Sequence, residues 1–240
     1  MAGPRGGNPG GGGAFAGGGL GHDATIFGPE MAGPAKIALI RETGATCHVV
    51  PGAYAHAMEA AQAFEATSGA MQVHAYDAPA TVAGQGTLAA EWEDQGLEAD
   101  TVVVAVGGGG LIAGAMAWLG NRRKVVAVEP ATSCALNAAL EAGTPVDVDV
   151  SGIAANALGA RKIGQICFTL ARETGVHSIT VTDAEIAAAQ LHLWRQMRQL
   201  VEPAGAAALA AVMGGAYIPA RNERVAVLVC GANPAPDPLA

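Results

Sequence analysis

Positive charge is scarce in this sequence: 13 Lys and Arg stand against 21 Asp and Glu, a formal charge of −8. The longest basic run is Arg122-Arg123-Lys124. Nucleic-acid binding needs clustered cations to neutralise phosphates, so no nucleic-acid partner is expected. Cysteine is sparse too. Cys47, Cys134, Cys167 and Cys230 stand far apart with no C-x-x-C, which suggests neither a zinc knuckle nor a disulfide framework. The six histidines form no H-E-x-x-H, and no G-x-S-x-G occurs, so common zinc-hydrolase and serine-hydrolase signatures are missing. Residues 1–21 have neither the charged n-region nor the apolar h-region of a signal peptide, and a cytoplasmic location is expected.

What the chain has in excess is glycine, 34 of 240 residues, or about 14% against a usual ~7%. Alanine adds 54, so 88 residues carry a methyl side chain or none. Glycine plus proline reaches 47, about 20%, below the ~25–30% of low-complexity disorder, and no Gly-X-Y period marks a collagen. The length allows one large domain or two small ones with a sizeable core. The glycines are uneven, with eleven in the first 21 residues.

Thr101 to Gly120 is twenty residues without a charge and has the length of a membrane span. The four consecutive glycines from Gly107 to Gly110 would cost a helix roughly 4 kcal/mol relative to alanine. The β-branched Thr101–Val106 run reads instead as a buried strand, followed by a glycine turn and a helix. Further strands are expected near Thr25–Phe27, Thr46–Val50, Lys124–Glu129 and Arg224–Val229. Helical faces are carried by Tyr54, Ala57, Ala61 and Phe64, and by Ile186, Ala189, Leu193, Met197 and Leu200, the latter capped by Thr182 or Asp183. An Ala-rich helix is read at Pro203–Met213. This alternation predicts an α/β protein with open parallel sheets and helices on both faces. A composition shift near Asp77–Ala80 divides it into residues 1–79 and 80–240.

The strongest chemical signal is Val102-Val-Val-Ala-Val-Gly-Gly-Gly-Gly-Leu111. A glycine run after a parallel strand lets backbone N–H groups converge on an anion, with the next helix aiming its positive end at the same point. A phosphate-bearing ligand is the expectation, against the plainer possibility that the glycines serve tight strand–helix packing. Gly108-x-Gly110-x-x-Ala113 also fits a dinucleotide fingerprint, with Glu129 ending the next strand where a ribose-binding acid would sit. That leaves an NAD(P)-dependent oxidoreductase open.

Seven motifs in one order resemble the serine/threonine dehydratase group of fold-type II pyridoxal-phosphate enzymes. Arg5-Gly6-Gly7-Asn8 resembles the S-x-G-N loop, and Pro34-Ala35-Lys36-Ile37 through Gly44-Ala45 resembles the P-A-K…G-A segment. His74-Ala-Tyr-Asp77 with Gly84-Gln85-Gly86-Thr87 resembles F-D…G-Q-G-T, and Gly107–Leu111 resembles the G-G-G-G-L phosphate cradle. Val128-Glu129-Pro130, Glu202-Pro203-Ala204-Gly205 and Cys230-Gly231-Ala232-Asn233 complete the set.

The resemblance implies pyridoxal 5'-phosphate as cofactor, a small amino acid as substrate and a homodimer. It places the N–H groups of Gly107, Gly108, Gly109, Gly110 and Leu111 on the cofactor phosphate. Asn8 would bond the ring hydroxyl, Gly152 would line the ring face, Glu202 would lie near the cofactor, and Cys230 would face the pyridine nitrogen. A thiol there does not enforce a protonated ring, which suits β-elimination better than transamination. Arg5, Gly6 and Gly7 would hold the substrate carboxylate, with Arg5 in place of the family's serine. Glu129 starts a metal site in some relatives, but Ser133 and Ala135 stand where its later acidic ligand is expected, so no metal is expected.

Two departures shape the functional reading. The family's Schiff-base lysine lies upstream of the S-x-G-N loop, where this chain starts, and Lys36, Lys124 and Lys162 all lack its context. Seven glycines between Pro9 and Leu20 would cost a helix about 7 kcal/mol, so that segment is either rescued by tertiary contacts or disordered. The expectation is an N-terminally truncated or misread ammonia-lyase that converts threonine or serine to 2-oxobutanoate or pyruvate. A non-catalytic remnant that still binds the cofactor, or a partner subunit, is the alternative.

Overall fold

The computed structural model describes residues 2–4, 8–30, 34–52, 54–71 and 73–231. Its contacts divide the chain into two units, Met1–Ala75 and Tyr76–Ala240.

The first unit is a parallel three-stranded sheet in the order β1 (Ala2–Pro4), β2 (Thr25–Pro29), β3 (Thr46–Val50). Its helices are α1 (Asn8–Gly19), α2 (Pro34–Glu42) and α3 (Tyr54–Ser68). Adjacent residues of a strand point to opposite faces, and β2 shows it directly. Ile26 clusters with Ala14 and Ile40, while Phe27 clusters with Ala57 and Ala61. The glycine-rich segment is helical as α1 in spite of its propensity. Ala14, 1% exposed, packs it against Ile26 of β2 and Ile40 of α2.

The second unit has α4 (Pro79–Asp94), β4 (Thr101–Ala105), α5 (Gly110–Leu119), β5 (Lys124–Pro130), α6 (Ala135–Ala142) and α7 (Ala155–Leu158). It continues through α8 (Gln165–Thr174), β6 (His177–Val181), α9 (Asp183–His192), α10 (Pro203–Met213) and β7 (Val225–Val227). The four strands run parallel in the order β6-β5-β4-β7. Val102 and Val104 of β4 and Val106 just after it enter one cluster with Ile112, Met116 and Leu119 of α5 and Phe168 of α8. Val103 and Ala105 face the other way, toward Ile186 and Ala189 of α9 and the alanines of α10. A sheet covered on both faces has no room for polar alternation, which is why β4 is buried at every position.

Sequence reasoning missed β1 and β6 and carried the apolar stripe of α9 too far. Ile186, Ala189 and Leu193 are buried, but Met197 and Leu200 are exposed. The helix passes into a π-helical turn over Leu193–Met197 and stops at Arg198, where φ is 55°. A π turn adds a residue per bond and rotates the stripe off the core. The cap of α9 is Thr182, whose hydroxyl accepts from Glu185 N while the Glu185 side chain accepts from Thr182 N, a reciprocal capping box. Among the described residues no helix is long and apolar enough to cross a membrane.

Candidate functional site

In a parallel sheet all strands end on one edge, and ligands favour the point where successive connections leave in opposite directions. Here that point lies beyond β4, flanked by β5 on one side and β7 on the other. Gly107–Gly110 occupy it, joining β4 to α5. Gly109 is the N-cap of α5 with φ 91°, a left-handed conformation that favours glycine, and no side chain caps the helix. The first helical bond runs from Ala113 N to Gly109 O at 2.9 Å. The earlier N–H groups have no intrahelical partner by helix geometry, and they gather at the positive end of the helix dipole. This end suits a phosphate.

The glycines are also required by packing. A methyl group at Gly107 would stand 2.9 Å from Leu158 Cα, and one at Gly110 would stand 2.9 Å from Tyr76 Cα. At Gly108 it would enter the Tyr76 ring, and at Gly109 it would meet Cys167 Sγ at 2.5 Å. Both expectations for the run therefore have a physical basis, one in its N–H groups and the other in its missing side chains. Gly108 O accepts from Gly164 N at 3.1 Å, and the neighbouring Gln165 and Ile166 N–H groups donate to Asp77 at 3.0 Å each.

Glu129 does not serve as a ribose acid. Its carboxylate is fully buried and accepts from Leu136 N and Asn137 N, both at 2.8 Å, in the first turn of α6. Burial pushes its pKa up to about 7 against the two bonds that favour the charged form. Both oxygens are spent on the helix, which removes the main support for a dinucleotide.

Cys230 follows β7, whose register beside β4 is prolonged by Leu228 N donating to Val103 O at 3.0 Å. Burial, and next the charge of Glu202, raise the Cys230 thiol above its ordinary range, so it stays protonated at neutral pH. Glu202, 6% exposed, is tied to the same turn by its N–H to Gly231 O at 2.8 Å. Gly231 has φ 75°, and a side chain there would strike Glu202 Oε1 at 2.5 Å. Gly205 at the start of α10 lies directly against the Cys230 carbonyl, a contact that only glycine allows. The Glu-Pro-Ala-Gly and Cys-Gly segments thus form one unit of structure.

Gly152 sits elsewhere on this edge, past β5 and β6. Its φ is 87°, its neighbours are Thr132 and Asp183, and Ile153 N donates to Asp183 Oδ2 at 3.2 Å. Asn8 opens α1 in the first unit, and Arg5, Gly6 and Gly7 lie outside the described residues. Of the lysines, Lys124 opens β5 and so stands at the opposite edge of the sheet, with Nζ 3.1 Å from the Tyr217 hydroxyl. Lys162 Nζ lies 3.7 Å from Asp147, and Lys36 belongs to α2. Sequence reasoning did not single out Tyr76, Asp77 or Leu158, although the first two lie inside a quoted motif.

A parallel α/β sheet with an uncapped, glycine-built helix end beyond one of its inner strands is an arrangement that suits a phosphate-bearing ligand. The sequence model of the pyridoxal-phosphate dependent enzymes matches residues 2–231, and the chain belongs to that family. It is 34% identical over 223 residues to phenylserine dehydratase of Ralstonia pickettii, covering 92% of this chain and 68% of that protein. It is 36% identical over 226 residues to the biosynthetic L-threonine dehydratase of Escherichia coli, covering 92% of this chain and 44% of that protein. The chain therefore spans from under half to about two thirds of the length of these relatives. Among solved structures, a threonine deaminase from T.th. superposes with a TM-score of 0.86 at 32% identity, covering 97% of this chain and 77% of that one. Serine racemase of maize shares the fold, with a TM-score of 0.90 at 24% identity. The members of this family depend on pyridoxal phosphate.

Proposed function

We propose that this chain binds pyridoxal 5'-phosphate at the β4–α5 turn and belongs to a lyase that converts a 3-hydroxy amino acid to a 2-oxo acid and ammonia, the water lost in the elimination being regained on hydrolysis. The observation that carries this reading is the uncapped, glycine-built N-terminus of α5 at the switch point, with Cys230 on the neighbouring strand end. The N–H groups of Gly107–Leu111 would hold the phosphate, and Cys230 would meet the ring nitrogen. Its protonated thiol offers a weak hydrogen bond and no negative charge, so it leaves the ring nitrogen without a counter-ion. When bound, the cofactor would supply an aldehyde for the substrate amine and an electron-withdrawing ring that eases proton loss from the carbon bearing that amine, with the hydroxyl leaving from the next carbon. Glu202 holds the Cys230–Gly231 turn in place, and Gly152, Asn8 and Arg5–Gly7 remain assigned by resemblance. Relatives named for phenylserine and threonine favour a substrate with a hydroxyl on its third carbon. A cytoplasmic homodimer accords with the same group.

A second reading has its own observation. Lys124 is at the wrong edge of the sheet, and the Lys162 amine lies 3.7 Å from Asp147, although the Lys162 carbonyl meets Tyr76 beside the cradle. On that reading the chain binds the cofactor without turning substrate over. Titration with pyridoxal phosphate, borohydride reduction and peptide mapping separate the two. A pyridoxyl-lysine together with 2-oxo acid formation from threonine or serine supports the lyase. Phosphate-dependent binding with neither label nor turnover supports the binding-only reading, and no binding refutes both.

A further inference from the structure

We propose that Tyr76 and Asp77 are positioning residues for the phosphate cradle, an inference that rests on reading Gly107–Leu111 as that cradle. Four glycines in succession have no side chains of their own to hold them, and glycine is the residue with the most backbone freedom. N–H groups bind an anion well only if their directions are fixed before it arrives. The fixing must come from outside the loop.

Tyr76 supplies one side of it. Its ring fills the space a side chain would take at Gly108, and its Cα lies 2.9 Å from the position of a methyl group on Gly110. The half-buried ring is itself tethered, its hydroxyl donating to Lys162 O at 3.4 Å. Asp77 supplies the other side. One carboxylate oxygen accepts from Gln165 N and the other from Ile166 N, each at 3.0 Å. These bonds place the start of α8 so that Gly164 N reaches Gly108 O at 3.1 Å. Two adjacent residues thus fix Gly108 by its missing side chain and by its carbonyl. The bond from Gly164 occupies the carbonyl of Gly108 and leaves the N–H side of the loop to a ligand.

The test compares binding of pyridoxal 5'-phosphate with that of pyridoxal, which lacks the phosphate, to the full chain and its variants. Wild type should prefer the phosphorylated ligand. Tyr76→Ala should weaken it about tenfold, the loss of one charge-assisted hydrogen bond, and leave pyridoxal within about twofold. Tyr76→Phe keeps the ring and should stay within about twofold of wild type for both. Asp77→Ala should repeat the pattern of Tyr76→Ala. Gly108→Ala should also weaken the phosphorylated ligand, but the double variant with Tyr76→Ala should be no weaker than Tyr76→Ala alone, because removing the ring makes room for the methyl group. Should Tyr76→Ala fail to fold, Tyr76→Leu keeps volume without the flat ring and carries the same expectation. An unchanged preference in the folded Tyr76 and Asp77 variants, or equal weakening of both ligands, overturns the inference while leaving the cradle in place. A wild type that binds both ligands equally overturns the cradle itself.

Discussion

Two glycines on facing helices should respond to alanine with opposite signs. Gly84 lies inside α4, is exposed, and has nothing within 4 Å of an added methyl group. Alanine there removes the entropic penalty of a mid-helix glycine and should stabilise the fold by up to about 1 kcal/mol. Gly114 lies inside α5, where the methyl group would overlap Gly86 N and stand 2.7 Å from both Gln85 C and Val82 O. All three are backbone atoms of α4, so no side chain can swing aside and the helices must separate. Overpacking of this kind costs roughly 1–3 kcal/mol, and the propensity gain offsets only part of it. Gly114→Ala should therefore destabilise by about 1–2 kcal/mol. Gly86→Ala, with a single backbone oxygen at 3.1 Å, should fall between them. In thermal unfolding, 1 kcal/mol corresponds to a shift of about 2–4 °C for a chain of this length. Gly84→Ala should melt above wild type and Gly114→Ala below it. Equal shifts of the same sign would refute the close α4–α5 approach.

Other expectations concern buried or capped groups. Glu129 ionises near 7 in the folded chain and near its ordinary 4.5 when unfolded, so the unfolded chain loses its proton first. Stability should fall as pH rises from 4.5 to 7, by no more than roughly 3 kcal/mol, and then level off. Glu129→Gln should flatten urea midpoints across that window, and a slope as steep as wild type would contradict the assignment. Glu223 accepts from the Thr101 and Tyr217 hydroxyls, both at 2.5 Å, and from Ala220 N at 2.7 Å, which holds its pKa down to about 2. Its stabilisation is present above 4.5 and is lost as pH falls toward 2, so Glu223→Gln should unfold with a weaker acid dependence. Thr182→Ala removes one half of the capping box and should cost about 1 kcal/mol in denaturant melts.

Much of the fold was legible because the strands that matter are buried on both faces. Val102–Val106 and Val125–Val128 are uninterrupted apolar runs, mostly β-branched, and such runs have few alternatives to a buried strand. His177–Val181 was not legible: His, Ser and Thr interrupt its apolar residues, and its place at the sheet edge tolerates them. The stripe Ile186–Leu200 misled because periodicity assumes one helical pitch, and the π turn changes it. At the site, the strand, glycine turn and helix of Thr101–Leu119 could be read from residue type and order, whereas Cys230 entered only through the resemblance. Asp77 could not, because its carboxylate reaches N–H groups 88 and 89 residues away. Glu129 was legible as an important acid but not in its purpose, since nothing local says that α6 will turn its first N–H groups onto it.

The glycine excess illustrates how one composition can reflect different causes. Gly84 stands in open space and Gly86 meets Gly114 O, so the first answers to no neighbour and the second to a helix. Gly205 and Gly231 are required by the Cys230 turn and Glu202, and Gly107 to Gly110 by Leu158, Tyr76 and Cys167. In each of these, the missing side chain is filled by another part of the same chain. A loop whose side-chain space is already taken by protein keeps its N–H groups as its only free chemistry. That is why close packing and anion binding are not rival accounts of Gly107–Gly110. The packing leaves no side-chain space at the loop, and on the proposed reading a loop so confined, with its N–H groups at a helix end, is what a phosphate would need.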